Sequence, residues 1–356
     1  MALQAIVQPL LSWYAQHARD LPWRRHVTPY RVWVSEIMLQ QTRVEAVKGY
    51  FARFLMQFPD IRALSEAPEQ QLLKCWEGLG YYSRARNLQK AAKVVVEEYG
   101  GELPASYEAL KRLPGIGPYT AGAIASIAFG LPVPAVDGNV LRVWARVTAD
   151  RADIAAPRTR KQAAEALRAV MPAGACGTFN QALMELGALV CVPNAPPRCE
   201  TCPLSGLCEG KRQGIAESLP VKKPKPARKV EARTVFLLEQ AGRLALRRRP
   251  KTGLLAGLWE LPAEAGTLSR KEAVRAVRAW GLEPVQLWPL PPAKHVFTHV
   301  EWHMTGWRCK LAPENTAPFV WVTADELRET YPLPSAFRPF LEAWRAGDNA
   351  FSAEDF

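Results

Sequence analysis

Four cysteines in the middle of the chain have the spacing of a metal-binding loop. Cys191, Cys199, Cys202 and Cys208 are separated by seven, two and five residues. Four thiolates this close in sequence can surround a single metal centre, which is either a zinc ion or an iron–sulfur cluster. Structural zinc more often uses two separated Cys-x-x-Cys pairs, so the uneven spacing favours iron–sulfur and leaves zinc as the alternative.

A glycine-rich segment, LPGIGPY at residues 113–119, is typical of a tight turn between two helices. Gly115 and Gly117 allow a positive φ and a close approach of the backbone to a ligand. Pro118 suits the first position of the second helix, because an N–H group there would lack a partner in any case. The N–H groups at the start of that helix are a ready site for a phosphate.

Two carboxylates lie in segments that could place them at a reactive site. Asp137 lies in VDGNV at 136–140, directly before a helical stretch, and Glu36 lies within an apolar helical stretch. One carboxylic acid and one ionised carboxylate are the groups that cleavage of a glycosidic bond needs. Each residue also has an ordinary explanation, Asp137 as a helix N-cap and Glu36 as a solvated helix residue. A neutral Glu36 at pH 7 would need an apolar pocket that raises its pKa.

The elements that must position these residues are helical through residue 212. Apolar residues recur at helical spacing around Glu36. Ser65, Ser83 and Ser106 precede further apolar stretches and are predicted to begin helices. We expect the later helices over 119–129, 137–147, 158–170 and 176–190.

The chain changes character after residue 212. Residues 213–230 alternate proline with lysine and arginine, which is typical of a stiff, extended basic linker. A strand-like pattern follows, with a hairpin turn predicted at 240–242. The small, polar and acidic residues 347–356 are expected to be disordered. The other elements expected in this part are short strands at Trp302, at Trp307 and at 320–322, and helices at 269–280 and 324–330.

The positive charge is concentrated in the first two thirds of the chain. The 356 residues carry a formal net charge of +12, and residues 1–230 hold 30 Lys and Arg against 19 Asp and Glu. This balance favours a polyanionic partner, although a solvated basic face has the same composition. We expect a cytoplasmic protein without membrane contact, because the sequence shows no signal peptide and no apolar run of about 18 residues.

Seven segments, in one order, resemble the MutY family of adenine DNA glycosylases, which is part of the helix-hairpin-helix superfamily of endonuclease III. The resemblance covers residues 1–345 approximately and implies a monomer that removes adenine paired with 8-oxoguanine or guanine in double-stranded DNA. The base must first be flipped out of the helix. The segments are VSEIMLQQT at 34–42, GLGYY at 78–82, LPGIGPYT at 113–120, VDGNV at 136–140, the four cysteines, GLLAGLWE at 253–260 and VFTH at 296–299.

The resemblance also implies the fold. This is an all-α helix-hairpin-helix glycosylase domain with an iron–sulfur loop, joined to an α/β (α+β) Nudix-like C-terminal domain. The helical region would span 1–212, with a six-helix barrel at about 23–130 and an iron–sulfur subdomain made of 1–22 and 131–212. Residues 213–230 would be the linker and 231–346 the domain that recognises 8-oxoguanine. The cysteines would hold a [4Fe–4S] cluster, although their first spacing is one residue longer than usual.

The positions of Glu36 and Asp137 carry the chemistry in this family. The resemblance implies that Glu36 protonates the adenine and that Asp137 stabilises the cationic sugar. Tyr119 would hydrogen-bond Glu36, and Asn139 would support Asp137. The glycosylase/lyase branch of the superfamily has a lysine nucleophile at the Tyr119 position. The resemblance therefore implies base removal without a Schiff base.

Further positions match residues that contact DNA in the family. Gln41 and Tyr81 match wedge residues beside 8-oxoguanine, and Phe297, Thr298 and His299 match the loop that recognises it. Thr298 replaces the usual serine and keeps its hydroxyl. Without the resemblance, all of these would be interpreted as ordinary core or exposed residues. The residues that would line the adenine pocket are Trp23, Arg24, Leu39 and Gln181. The backbone amides around Gly115 and Gly117 would bind the DNA phosphates. Four arginines are expected either at phosphates or on a solvated surface, namely Arg84, Arg86, Arg142 and Arg146.

Other functions are less favoured. A glycosylase for thymine or uracil opposite guanine usually differs around Glu36 and lacks the C-terminal domain. A lyase would need lysine in place of Tyr119, and a DNA-binding relative without activity would not need both carboxylates. A Nudix phosphohydrolase needs a glutamate-rich helix to hold Mg²⁺, whereas residues 274–280 read VRAVRAW.

Overall fold

The computed structural model describes residues 3–224, 226–313 and 318–346, which form two compact units. The first unit comprises the chain up to Ala67 together with Ser83–Pro224. The second comprises Pro68–Tyr82 and the described residues after 225. The predicted disordered tail at 347–356 lies outside the described residues. None of the described helices combines the length and the apolar character needed to cross a membrane.

The first unit is helical, and one helix in this stretch of chain, α5, belongs to the second unit. In chain order the helices are α1 (Val7–His17), α2 (Pro29–Leu39), α3 (Val44–Gln57), α4 (Ile61–Glu66), α5 (Glu69–Cys75), α6 (Ser83–Tyr99), α7 (Tyr107–Arg112), α8 (Pro118–Ile127), α9 (Gly138–Thr148), α10 (Pro157–Arg168), α11 (Cys176–Leu189) and α12 (Glu209–Arg212).

Local sequence signals set the starts of several helices. Ser106 caps α7 and Ser83 begins α6, as predicted. The predicted start at Ser65 is wrong, because Ser65 lies inside α4 and its hydroxyl donates to a carbonyl of the same helix. Asp60 is the cap of α4, since its carboxylate accepts the amide of Ala63 at 2.8 Å.

Helix α11 packs against several other helices of the first unit. It packs against α1, α8 and α9. Burial of one leucine or phenylalanine side chain on such a helix contributes roughly 1.5–3 kcal/mol to the free energy of folding. Helix α2 packs against α8 in turn. These contacts bring α2, α8, α9 and α11 around one cavity. The buried face of α11 is formed by Phe179, Ala182, Leu183 and Leu186.

Three arginines that were predicted at phosphates or on the surface are buried in the fold. Arg84, Arg142 and Arg146 are 9%, 5% and 4% exposed. Arg84 donates to three carbonyls at the end of α2, and Arg146 donates to the carbonyl of Leu219 at 2.9 Å. Both expectations are wrong for these three residues, because their guanidinium groups satisfy carbonyls that helix ends and loops leave without a backbone partner.

The second unit is a sheet flanked by helices. After α5 it contains β1 (Lys229–Gln240), β2 (Arg243–Arg248), β3 (Trp259–Glu260), β4 (Ala263–Ala265), α13 (Arg270–Ala279), β5 (Pro284–Val296), β6 (Val300–Leu311), β7 (Val320–Val322), α14 (Ala324–Glu329) and α15 (Arg338–Arg345).

The seven-stranded sheet of the described residues is mixed. Its order is β3-β2-β1-β6-β5, with β4 paired to β1 and β7 paired to β2. Strands β1 and β6 run parallel, and the other pairs are antiparallel. Successive residues of β1 point to opposite faces, so Val235 and Leu237 enter one apolar cluster while Phe236 and Leu238 enter another.

The predicted hairpin is confirmed, whereas the strands after it differ from the prediction. Gln240 pairs with Arg243 across a two-residue turn in which both residues have positive φ. Trp302 and Trp307 lie on one twelve-residue strand, not on separate short ones. Strand β5 was not predicted because it contains four prolines. It lies at the edge of the sheet, where missing amide donors are tolerated.

Candidate active site

An open cavity of about 680 Å³ in the helical unit is bordered by α2, α8, α9 and α11. This volume is within the range of small-molecule sites. The fold therefore brings together residues that are far apart in sequence. Nine of the predicted site residues line the cavity, namely Trp23, Arg24, Glu36, Leu39, Gln41, Tyr119, Asp137, Asn139 and Gln181.

Glu36 is a buried carboxyl group held by a phenol. It is 6% exposed, and the hydroxyl of Tyr119 donates a hydrogen bond to its Oε2 atom. Burial raises the pKa of Glu36 to about 7; the hydrogen bond from Tyr119 partly opposes this, and the charge of Asp137 adds to it. Burial also raises the pKa of Tyr119 well above its ordinary value, so the phenol remains a donor. Glu36 can therefore hold a proton near neutral pH.

Asp137 is both a helix cap and part of the cavity wall. Its Oδ1 accepts the amide of Val140 and its Oδ2 accepts the side-chain amide of Asn139, each at 2.7 Å. Burial raises the pKa of Asp137, while these hydrogen bonds and the charge of Arg142 oppose the rise. The ordinary N-cap explanation is thus confirmed, and it does not exclude a chemical role.

Arg142 connects the Asp137 side of the cavity to the cysteine loop. Its Nη2 donates to Asn139 Oδ1 at 2.8 Å and to the carbonyl of Gly187 at 2.7 Å, and its Nε donates to the carbonyl of Cys191 at 2.7 Å. A Cβ atom at Gly187 would lie 2.7 Å from the Cβ of Asn139, so α9 and α11 need glycine there to approach this closely. A hydrogen-bonded path therefore runs from the first cysteine to Asp137.

Arg19 and Glu185 also line the cavity, and neither was predicted. Glu185 is 1% exposed; its Oε1 accepts from Arg19 Nε at 2.8 Å, and its Oε2 accepts from Arg24 Nη2 at 2.9 Å. Burial opposes the ionisation of Glu185, but the hydrogen bonds from both arginines outweigh it and lower its pKa to about 2. The ion pair fixes Arg24 in the wall. A glutamate inside the apolar run LMELGALV at 183–190 is the signal that could have shown a buried, paired carboxylate.

The predicted helix-hairpin-helix turn is exposed between α7 and α8. Gly115 has a φ of 76°, and Gly117 is the N-cap residue of α8. Both glycines and Pro118 are exposed. Gln41, at the end of α2, is also exposed and has a positive φ of 59°.

Phe297, Thr298 and His299, which we call the predicted reading loop, form the turn between β5 and β6 in the C-terminal unit. The amide of Phe297 donates to the carbonyl of Val300 at 2.8 Å, which closes the turn. Thr298 and His299 are exposed, and the Phe297 ring packs edge-on against a buried tryptophan with centroids 4.8 Å apart. The hydroxyl groups of Tyr81 and Thr298 are 3.0 Å apart. The structure thus groups Tyr81 with the predicted reading loop.

The four cysteines border one small apolar cavity next to α9 and α11. Within the described part of the chain, no three Cys, His, Asp or Glu side chains converge closely enough to hold one metal ion. Burial raises the pKa of Cys202 to about 11, and the neighbouring thiols add to this, so thiolates here need a compensating cation. Four sulfur atoms are a donor set that fits a soft metal such as iron or zinc.

Comparison with known proteins identifies the family. Residues 34–169 match the HhH-GPD superfamily of base excision DNA repair proteins, and residues 234–343 match the NUDIX domain. The adenine DNA glycosylase of Homo sapiens is 37% identical over an alignment that covers 89% of this chain and 70% of that protein. This chain belongs to the adenine DNA glycosylase family. The adenine DNA glycosylase of Arabidopsis thaliana is 39% identical over an alignment that covers 76% of this chain and 50% of that protein.

Solved structures show the same fold for about 60% of the chain. A thermostable thymine-DNA glycosylase is 30% identical with a TM-score of 0.55, covering 59% of this chain and 96% of that one. An endonuclease III–DNA complex, 24% identical with a TM-score of 0.51 over 60% of this chain and 99% of that one, shows the same fold. The predicted family, the enzyme class of DNA glycosylase and the fold class, a helical helix-hairpin-helix unit with a Nudix-like unit, are confirmed.

Proposed function

We propose that this chain removes adenine paired with 8-oxoguanine, or with guanine, from double-stranded DNA. The observation that carries the proposal is a pair of buried carboxyl groups on one cavity, with Glu36 hydrogen-bonded by Tyr119 and Asp137 hydrogen-bonded by Asn139. The curated relatives are named adenine DNA glycosylases. A base in duplex DNA can reach such a cavity only after it is flipped out of the stack.

The two carboxylates divide the work. Glu36 gives its proton to the departing adenine, and the electrons of the bond between the base nitrogen and the sugar C1′ leave with the base. The sugar becomes positively charged, and the carboxylate of Asp137 stabilises that charge. Water then adds to C1′ and gives a proton to the Glu36 carboxylate, which leaves an abasic site and restores the acid. Tyr119 keeps the carboxyl group of Glu36 oriented, and Asn139 does the same for Asp137.

We infer that no amine of the enzyme attacks the sugar. Tyr119 occupies the position of the lysine nucleophile in the lyase branch. Among the described residues that line the cavity there is no lysine. A phenol whose pKa is raised by burial remains protonated and is a poor nucleophile. Strand cleavage should therefore require alkali after the base has been removed.

Three groups of residues would contact the DNA strand that contains the adenine. The amides around Gly115 and Gly117, at the start of the ten-residue helix α8, suit a backbone phosphate. The exposed Gln41 would enter the space that the flipped base leaves. The flipped adenine itself would contact Trp23, Arg24, Leu39 and Gln181.

The C-terminal unit would read the base opposite the adenine. Thr298 and His299 are exposed on a tight turn that Phe297 anchors, so their hydroxyl and imidazole groups can hydrogen-bond a purine edge. The unit is not equipped for Nudix hydrolysis. Glu272 is the one glutamate within α13, and its carboxylate caps that helix together with Ser269.

We further propose that the four cysteines hold a [4Fe–4S] cluster. The four cysteines border one apolar cavity, and four thiolates are the ligand set of such a cluster. When bound, the cluster would supply positive charge to the thiolates and cross-link the loop. Protein purified without oxygen should be brown and absorb near ~400 nm. A colourless protein with one zinc per chain would contradict this proposal.

A glycosylase for thymine or uracil opposite guanine is the competing assignment. The thymine-DNA glycosylase structure covers 59% of this chain while using 96% of its own residues. Only 4% of the thymine-DNA glycosylase chain lies outside this match, which is too little for a Nudix-like unit. The Nudix-like unit therefore favours a function that includes reading the opposite base.

An excision assay on four duplexes tests the proposed function. The duplexes carry adenine opposite 8-oxoguanine, adenine opposite guanine, thymine opposite guanine and uracil opposite guanine, and each is analysed with and without hot alkali. We expect alkali-dependent cleavage at adenine, fastest opposite 8-oxoguanine. Cleavage at thymine or uracil alone would replace the proposal by the competing assignment, and cleavage without alkali would contradict the mechanism.

A double variant tests the reading loop within the same assay. Phe297→Ala with His299→Ala should lower the preference for adenine opposite 8-oxoguanine over adenine opposite guanine more than it slows excision opposite guanine. The reason is that the loop contacts the opposite base and not the reacting sugar. An unchanged preference would remove the reading role from these residues.

A further inference from the structure

Lys74 and Glu77 tie the segment that carries Tyr81 to the end of α14, within the C-terminal unit. Lys74 Nζ donates to the carbonyls of Leu327 at 2.9 Å and Tyr331 at 3.3 Å, and to Glu77 Oε2 at 2.6 Å. Glu77 Oε1 accepts the amide of Leu333 at 2.8 Å. We call Lys74, Glu77 and their partners at 327–333 the clasp.

The chemistry of the clasp suits a fixed attachment rather than a passing surface contact. The carbonyls that receive the Lys74 ammonium lie in and just after the last turn of α14, where helices leave carbonyls without partners and favour a cation. The side chains of Lys74 and Glu77 are 18% and 31% exposed. This ion pair is therefore less screened by solvent than a fully exposed one.

The chain between the clasp and Tyr81 has little freedom. Trp76 is completely buried, and its Nε1 donates to the carbonyl of Gly80 at 3.1 Å. Gly78 and Gly80 have φ values of 97° and 69°, and Tyr81 itself has a φ of 48°. A tyrosine keeps a left-handed conformation only where the surrounding structure holds it there. Movement of the clasp would therefore reach Tyr81.

Tyr81 is held at its other end by the turn between β5 and β6. Its ring is 46% exposed, and its hydroxyl lies 3.0 Å from the hydroxyl of Thr298. The segment therefore contacts the rest of the C-terminal unit both at the clasp and at Thr298, and Gln70 Nε2 donates a further hydrogen bond to the carbonyl of Thr330 at 3.1 Å.

We propose that Lys74 and Glu77 are positioning residues for recognition of the base opposite the adenine, because the clasp sets Tyr81 against Thr298. The inference rests on the proposed function, in which the 297–299 turn reads 8-oxoguanine. The clasp takes no part in breaking the glycosidic bond. Its effect appears in the choice between opposite bases, and not in excision as such.

Single-turnover excision of adenine opposite 8-oxoguanine and opposite guanine gives the preference ratio that tests this inference. Lys74→Met keeps most of the side-chain stem and removes the ammonium, and it should lower the ratio about three- to tenfold, as expected for residues coupled through hydrogen bonds. Glu77→Gln, which still offers an oxygen to the Leu333 amide, should lower it less. The matched control is Lys161→Met with Glu165→Gln, an exposed pair on α10, which should leave the ratio unchanged.

A double-mutant cycle separates positioning from general destabilisation. Tyr81→Phe removes the hydroxyl that meets Thr298 and should lower the ratio by itself. If the clasp acts through Tyr81, Lys74→Met should then have little further effect, whereas independent sites would give additive losses. Additive losses would overturn the inference. If Lys74→Met unfolds below the assay temperature, Glu77→Gln takes its place in the cycle.

The preference ratio of the wild-type protein distinguishes failure of the proposed function from failure of the positioning role. A wild-type ratio near one means that the proposed reading of 8-oxoguanine has failed. A high wild-type ratio that persists in folded Lys74→Met and Glu77→Gln means that only the positioning role has failed. A high ratio that falls in both variants, without additivity to Tyr81→Phe, supports the inference.

Discussion

At the scale of single residues, the cavity gives two buried carboxyl groups different hydrogen-bond partners, although burial raises the pKa of both. Glu36 is buried and receives its hydrogen bond from the phenol of Tyr119. Burial raises the pKa of Asp137, whereas its two amide donors and the charge of Arg142 oppose that rise and favour the ionised form. Environments that push two titratable groups apart are what an acid and a charge stabiliser require. Glu36 is therefore the residue that keeps a proton near neutral pH.

The rate of excision should depend on pH through both groups. It should fall as the pH rises through about 7, because Glu36 then loses the proton that the base needs. It should also fall in acid, at a pH above the ordinary Asp range, because burial raises the pKa of Asp137 and protonation removes its charge. Single-turnover rates on adenine opposite 8-oxoguanine measure this profile. A rate that stays constant up to about pH 9 would contradict a neutral Glu36 as the acid.

The residue scale also shows where sequence reasoning ends. Glu36 and Asp137 could be named from their motifs, but the burial that raises their pKa values comes from packing among α2, α8, α9 and α11. Arg19 and Glu185 were missed because their ion pair joins positions 166 residues apart. The apolar run at 183–190 could indicate that Glu185 is buried and paired, but no local pattern shows that Arg19 is its partner.

At the scale of elements, α9 and α11 border the cavity and also connect it to the cysteine loop. Arg142 projects from α9 to the carbonyls of Gly187 and Cys191 and to Asn139, so it joins the helix that begins after Asp137 to the cysteine loop. The charge pattern alone allowed Arg142 to be interpreted as a phosphate contact. Because Arg142 is buried, its role is structural, and it does not contact DNA.

Arg142→Met should therefore lower stability and leave the salt dependence of DNA binding unchanged. The substitution leaves several buried acceptors without a donor, which costs about 1–3 kcal/mol for each group. Thermal unfolding and DNA affinity at several salt concentrations measure the two effects, with the exposed Arg151→Met as the control. A salt slope reduced by about one with an unchanged Tm would show a phosphate contact instead.

Two of the three helix starts predicted from serines are confirmed and the one at Ser65 is wrong, whereas a strand that depends on its neighbours was not predicted. Ser83 and Ser106 begin helices as expected, because capping is a contact within one turn. Strand β5 could not be predicted, since its prolines are tolerated only because β6 pairs with it on one side and the sheet ends on the other.

At the scale of the whole molecule, the chain joins a unit with a reactive cavity to a Nudix-like unit that lacks the glutamates for hydrolysis. Both units could be predicted from motifs in their order along the sequence. The assignment of 68–82 to the C-terminal unit could not, because it depends on contacts between Lys74, Glu77 and residues 327–333.

The full chain with Mg²⁺ should not hydrolyse 8-oxo-dGTP. Helix α13 has arginine and alanine where a Nudix enzyme needs glutamates, and Glu272 is engaged in the cap with Ser269. Release of pyrophosphate measures this activity, with an active Nudix hydrolase as the positive control. Turnover that depends on Mg²⁺ would show that the second unit is an enzyme in its own right.

The measurement that tests the central claim most directly compares wild-type protein with Glu36→Gln for both excision and binding. On a duplex with adenine opposite 8-oxoguanine, Glu36→Gln should lose about 10²- to 10⁴-fold in single-turnover rate, because the shape of the side chain remains while the proton is gone. Its affinity for the same duplex should be retained, and Glu66→Gln, at an exposed position of α4, should behave as wild type. Undiminished excision by Glu36→Gln would contradict the assignment of Glu36 as the acid and with it the proposed mechanism.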